Sequence, residues 1–104
     1  MLVSKPLKAG EVVALKPLSG PDIIARLVDD YTGGDHIVVR KPIEAHMVQG
    51  NQGSLGLAFS PFSLAAADDQ VFRFPRDKFM VDPFLARDEV KKTYTEQTSS
   101  LKLV

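Results

Sequence analysis

The sequence predicts a mainly all-β domain, and three observations carry that reading. Short apolar runs rich in Val, Ile, Leu and Phe recur from Glu11 to Val81, and clusters of Gly, Pro, Asp or Asn bound each of them. After Asp82-Pro83, the stretch from Phe84 to about Thr98 contains neither glycine nor proline and can be helical. The 104 residues, 44% of them hydrophobic, suffice for one domain (1–104) with one modest core. The core sheet is expected over about residues 11–82 and a helix and tail over about 83–104.

Glu11–Leu18 forms the expected first strand, with Pro17 confining its end to a sheet edge because proline donates nothing to a ladder. Ser19-Gly20-Pro21-Asp22 supplies the backbone angles of a tight reversal. Ile23–Val28 alternates, with Ile24, Arg26 and Val28 on one face and Ile23, Ala25 and Leu27 on the other, which fits a half-buried second strand. The breaker run Asp29–Asp35 ends it, and His36–Lys41 opens a third strand that Pro42–Val48 continues past a bend.

Gln49–Ser54 is a polar, glycine-containing reversal, and Leu55–Leu64 returns from it as the second arm of a long hairpin. Gly50, Gly53 and Gly56 lack the Lys-Ser/Thr and the following helix of a phosphate loop, so they read as turn residues. After Ala65–Asp69, two short strands, Val71–Phe74 and Phe79–Val81, flank a charged turn at Pro75–Lys78. Asp82-Pro83 then has the form of a helix cap with proline at the first helical position. The helix is expected from Phe84 to about Thr98, with an apolar stripe of Leu85, Val90 and Tyr94 and with Asp88 near Lys91 and Lys92. Leu101–Val104 reads as a fraying tail.

Two groups of residues resemble the two Sm motifs. Val13–Gly20, Ile24–Asp30 and His36–Val39 are similar to the first, and Val71–Pro83 to the second. Together with the Tyr94–Ser100 end, the chain resembles the Sm-like (LSm-fold) proteins of marine cyanobacterial phages. The resemblance implies a strongly bent, five-stranded antiparallel sheet or open barrel with a long hairpin between its third and fourth strands. It also implies a homo-oligomeric ring of five to seven copies. In such a ring Val71, Phe72 and Phe74 of one copy would pair with Phe79 and Val81 of the next.

RNA or single-stranded nucleic acid would meet that family's pore through two loops. Here those loops carry Asp35-His36 and Pro75-Arg76 in place of the family's Asn and Arg-Gly, and Tyr31 lies in the first of them. Arg76, His36, Tyr31 and Asp35 are therefore the candidate nucleic-acid contacts. Each has a plainer reading. His36 can make a local strand-start bond, Arg76 can pair with Asp77 or Asp69, and Tyr31 can cover a core edge. His46 with Glu44 reads as a structural pair, because a metal would want further ligands.

Equal numbers of basic and acidic residues, thirteen each, remove the general attraction to phosphate that a basic protein has. The absence of cysteine excludes a disulfide framework and thiolate metal sites. No secretory signal and no run of about 18 apolar residues is present, so a soluble, cytoplasmic protein without membrane partners is expected, in the host cytoplasm if phage-encoded. No cofactor and no metal are expected. Three function classes follow. The first, and the favoured one, is a non-catalytic ring that binds nucleic acid or protein through its repeated surface, with RNA or single-stranded nucleic acid at the pore. The second is a phage or host protein-interaction or assembly module without RNA binding. The third, an enzyme, is the least supported, because no nucleophile and base share a recognisable setting.

Overall fold

Val12–Leu15 forms strand β1 with all four residues buried, a pattern that only a sheet covered on both faces produces. The computed structural model describes residues 6–100 and shows what those covers are. Val13 and Leu15 face a main core with Ile23, Ala25, Leu27, Ile37, Val39 and Phe79. Val12 and Ala14 face the other way, into a second cluster with Ile24, Ala86 and Tyr94. The remaining elements are β2 (Asp22–Leu27), β3 (His36–Gln49), β4 (Leu55–Pro61), β5 (Val71–Pro75), β6 (Phe84–Leu85) and α1 (Asp88–Ser100), with single 3-10 turns at Asn51–Gly53 and Arg76–Lys78.

The sheet has six strands in the order β4-β3-β2-β1-β6, with β5 also paired to β3. All pairings are antiparallel. One strand serves both β4 and β5 because β3 is bent. Ile24 pairs with Ile43 and Arg26 with Arg40, so β3 spends two residues, Lys41 and Pro42, where β2 spends one. Lys41 takes a left-handed φ of 51° to do so. Such a bulge increases twist and redirects the strand. Its first half pairs with β5 and its second half with β4.

The bulge is also where the helix docks. The fully buried Tyr94 of α1 donates its hydroxyl to the Lys41 carbonyl at 2.9 Å, and the Arg26 guanidinium lies 5.9 Å from its ring centre. Burial raises the Tyr94 phenol to a pKa of about 12. Below pH 10 the phenol is neutral in folded and unfolded chains alike, so its contribution to stability is fully present. It is lost as pH rises from about 10 to about 12, where only the unfolded chain ionises. Urea midpoints should therefore fall across that range in the parent and much less in Tyr94→Phe.

Three expectations change. The sheet has six strands, because Phe84-Leu85 is strand and not the start of a helix. These residues pair with Ala14 and Val13 on the open edge of β1, and the Ala86 amide donates to the Val12 carbonyl at 3.2 Å. Asp82 is engaged elsewhere and does not cap a helix, so α1 begins only at Asp88. Phe79–Val81 is not a regular strand. Phe79 makes one bridge with Pro17, and the Leu18 and Met80 amides donate to Lys78 and Lys16 carbonyls at 3.0 and 2.9 Å. Pro17 has no donor, so this pairing stays short.

The sheet thus curls until the segment after β5 reaches the far edge of β1. Phe62, Phe72 and Phe74 fill the space inside the curl, with Phe62 5.4 Å from each of the other two ring centres, and Phe74 continues the chain of rings to Phe79 at 5.8 Å. Ahead of β1, Leu7 bridges Tyr31 and the chain then turns at Ala9-Gly10, where the Glu11 amide donates to the Lys8 carbonyl at 3.1 Å. The expected tail Leu101–Val104 lies outside the described residues.

Candidate functional site

The fold brings the four candidate contacts to one end of the sheet. Asp35 and His36 begin β3, and His36 stands opposite Pro75 at the end of β5. The Arg76 amide donates to the Asp35 carbonyl at 2.8 Å, which fixes the 3-10 turn against the start of β3. Tyr31 is buried, held by the two backbone bonds it exchanges with Leu7.

The Arg76 side chain folds back over its own turn and stays partly exposed. Its Nε donates to Asp82 Oδ1 at 2.6 Å and an Nη donates to the Phe79 carbonyl at 3.0 Å. Tyr31 donates its hydroxyl to the same Asp82 oxygen at 3.2 Å and to the Gly34 carbonyl at 3.3 Å. One carboxylate therefore joins the loop after β2, the turn after β5 and the segment leading to β6. The partner is neither Asp77 nor Asp69.

The ionisation behaviour follows from that geometry. The hydrogen bond from Arg76 holds the Asp82 carboxyl below its ordinary range, and the bond to Asp82 raises the Arg76 guanidinium. Burial, followed by the Asp82 charge, raises the Tyr31 phenol. A carboxylate with a depressed folded-state pKa stabilises the fold above its unfolded value, near pH 4, and loses that contribution as pH falls through the folded value. Asp82 is about half exposed, so solvent screening keeps the effect small. Arg76→Ala is expected to lower stability by about 1 kcal/mol at pH 7 and to remove most of the parent's extra acid sensitivity below pH 4. Urea unfolding at pH 7 and pH 3 checks both.

Outside this triad the same end is acidic. Asp29, Asp30 and Asp35 line a shallow open cavity of about 400 Å³ with Tyr31, His36, Val38 and Arg73. Asp30 is in part satisfied, accepting from the Ala9 amide at 2.7 Å. An open groove of about 700 Å³ lies on the other side of Tyr31, lined by Leu7, Val81, Asp82, Pro83 and Phe84 among others. Its walls are mostly apolar. His46 hydrogen-bonds Ser60 at 2.9 Å and lies 3.7 Å from Glu44, and among the described residues no three His, Cys, Asp or Glu come together as a metal site.

The expected interface residues divide into two groups. Phe72, Phe74 and Phe79 face the chain's own core. Val71 and Val81 are exposed at 45% and 46%, with Met80 at 58% between Phe79 and Val81. Asp82 is the site residue that sequence reasoning missed. Its only local signal, Asp before Pro, indicates a helix cap, and its actual partners include a tyrosine 51 positions away.

The chain matches no protein-family model, and no curated protein matches it. Among the described residues no helix is long and apolar enough to cross a membrane.

Proposed function

We propose that the chain is a non-catalytic, Sm-like module that joins copies of itself into a closed ring and acts as a protein-interaction or assembly platform. The observation that carries this reading is the outer edge of β5. Among the described residues that strand pairs with β3 on one side only, and exposed Val71, Met80 and Val81 flank its open side and the segment after it. Unpaired strand edges with apolar neighbours pair with other chains unless something covers them. A ring in which each β5 meets the Phe79–Val81 segment of the next copy covers every such edge in the same head-to-tail way. A phage-encoded protein of this kind would work in the host cytoplasm.

Nucleic-acid binding at the pore is the second reading, and Arg73 is what favours it. This residue is exposed beside Asp35 and His36, and it belongs to none of the ion pairs among the described residues. Against the reading stand the neutralised Arg76 and the three neighbouring aspartates, which repel phosphate.

A titration with single-stranded RNA and DNA at two salt concentrations separates the readings. The platform reading expects no binding at low salt and the same result for Arg73→Ala. Binding that weakens steeply with salt, with a log-log slope of about 0.7 for each phosphate contacted, would establish the second. Arg73→Ala should then flatten that slope.

A further inference from the structure

We infer that β4 is a second self-association surface, where two copies pair their Leu55–Pro61 edges antiparallel about a two-fold axis through Leu57. This contact is separate from the proposed ring, since it uses β4, which pairs with the second half of β3, and the ring uses β5, which pairs with the first half. In the strand order β4 is terminal, so among the described residues one side of its backbone has no partner strand.

The hairpin fixes which groups are unpaired. The Gly50 amide donates to the Ser54 carbonyl at 2.6 Å and the Phe62 amide donates to the Pro42 carbonyl at 3.4 Å, at the two ends of the ladder. Antiparallel pairs alternate between bonded and non-bonded. With Val48 opposite Gly56, His46 opposite Ala58 and Glu44 opposite Ser60, those three pairs share the phase of the two end bonds. Leu55, Leu57 and Phe59 therefore direct their N–H and C=O groups away from β3.

The side chains of these same residues share the face on which Ile43, Ala45 and Phe59 pack with α1. Beyond the helix that face continues as Met47, Leu55 and Leu57, exposed at 68%, 69% and 48%. A two-fold axis at Leu57 sets Leu57 opposite its own copy and Leu55 opposite Phe59. All three outward amides then find carbonyls, and the ladder stops before Pro61, which has no donor. On the other face Gly56 meets Ala58, so nothing bulky obstructs the pairing.

A second copy is the occupant that charge favours. From Met47 to Ala67 the chain has no Asp, Glu, Lys, Arg or His, although a quarter of the whole chain is charged. Natural edge strands commonly carry a lysine, an internal proline or a bulge that prevents self-pairing. The β4 edge has none of these over Leu55–Ser60, and two copies meet there without like-charge repulsion.

The protein has no cysteine, so a single introduced thiol reports the geometry. Hydrogen-bonded antiparallel partners stand about 5.5 Å apart at Cα, within disulfide range. Leu57→Cys should cross-link almost completely to a covalent dimer under mild oxidation at micromolar protein. Leu64→Cys, at a more exposed position, should give less than about a tenth of that. In solution Leu57→Lys should halve the native mass while leaving the circular dichroism of the parent. Equal cross-linking at the two sites, or an unchanged mass for Leu57→Lys, would overturn the inference, including the case in which the edge serves a foreign peptide. The ring fails separately. If Val81→Asp leaves the mass of the parent unchanged while Leu57→Lys still halves it, only the β4 contact exists.

Discussion

Replacing Tyr94 with alanine is expected to lower the unfolding free energy by about 3–5 kcal/mol, the usual range for deleting a buried aromatic side chain. Typical domains have a total of about 5–15 kcal/mol, so the variant should be partly unfolded at 37 °C. The reason lies in what the ring joins. Tyr94 is fully buried among Val12, Ala14, Ile24 and Ala86, and its hydroxyl satisfies the carbonyl of the bulge residue Lys41. Few other contacts hold α1, since Val90 is only partly buried and Thr98 donates its hydroxyl to the Tyr94 carbonyl of its own helix. Loss of Tyr94 should therefore release the helix and uncover the second core cluster. Tyr94→Phe keeps the ring and loses one hydrogen bond, so a cost of about 1 kcal/mol is expected. Urea denaturation followed by circular dichroism gives both values, and equal midpoints for Tyr94→Ala and the parent would refute the assignment.

The second large effect concerns assembly. Val81→Asp should disperse the proposed ring into smaller species that remain folded, because a charge buried unpaired at a subunit contact costs several kcal/mol and a closed ring repeats that cost at every contact. Val81 is 46% exposed in the single chain, so the substitution leaves the core intact. Phe72→Asp is a different experiment. That residue packs against the main core, and the variant should fail to fold before it fails to assemble. Size-exclusion chromatography with circular dichroism on both variants distinguishes the outcomes.

The strands from Val12 to Val39 were legible because they follow local rules. Ile23–Val28 alternates as a strand must, although α1 covers the face of Ile24 and Arg26 that the pattern left wet, and Gly20, with φ of +99°, supplies the reversal that its neighbours Ser19 and Pro21 announce. The hairpin to Leu55 was legible for the same reason. What escaped the sequence depends on distant partners. Asp82-Pro83 has every local mark of a helix start, yet Arg76 and Tyr31 occupy the carboxylate, and the open edge of β1 draws Phe84-Leu85 into the sheet. Phe62 lies in a stretch of small and apolar residues with no clear period, and only the curl of the sheet places it between Phe72 and Phe74. At the candidate site, Arg76, Tyr31, Asp35 and His36 do converge at one end of the sheet. Their convergence serves in part to hold loops together, since Arg76 is bound to Asp82.

Native mass determination on Leu57→Lys tests the central proposal most directly, because that substitution removes the β4 contact and leaves the β5 edge untouched. The ring predicts a single species of roughly five to seven copies of the 11.4 kDa chain, which falls to smaller species when Val81→Asp is added. A mass of one chain at micromolar concentration would contradict it.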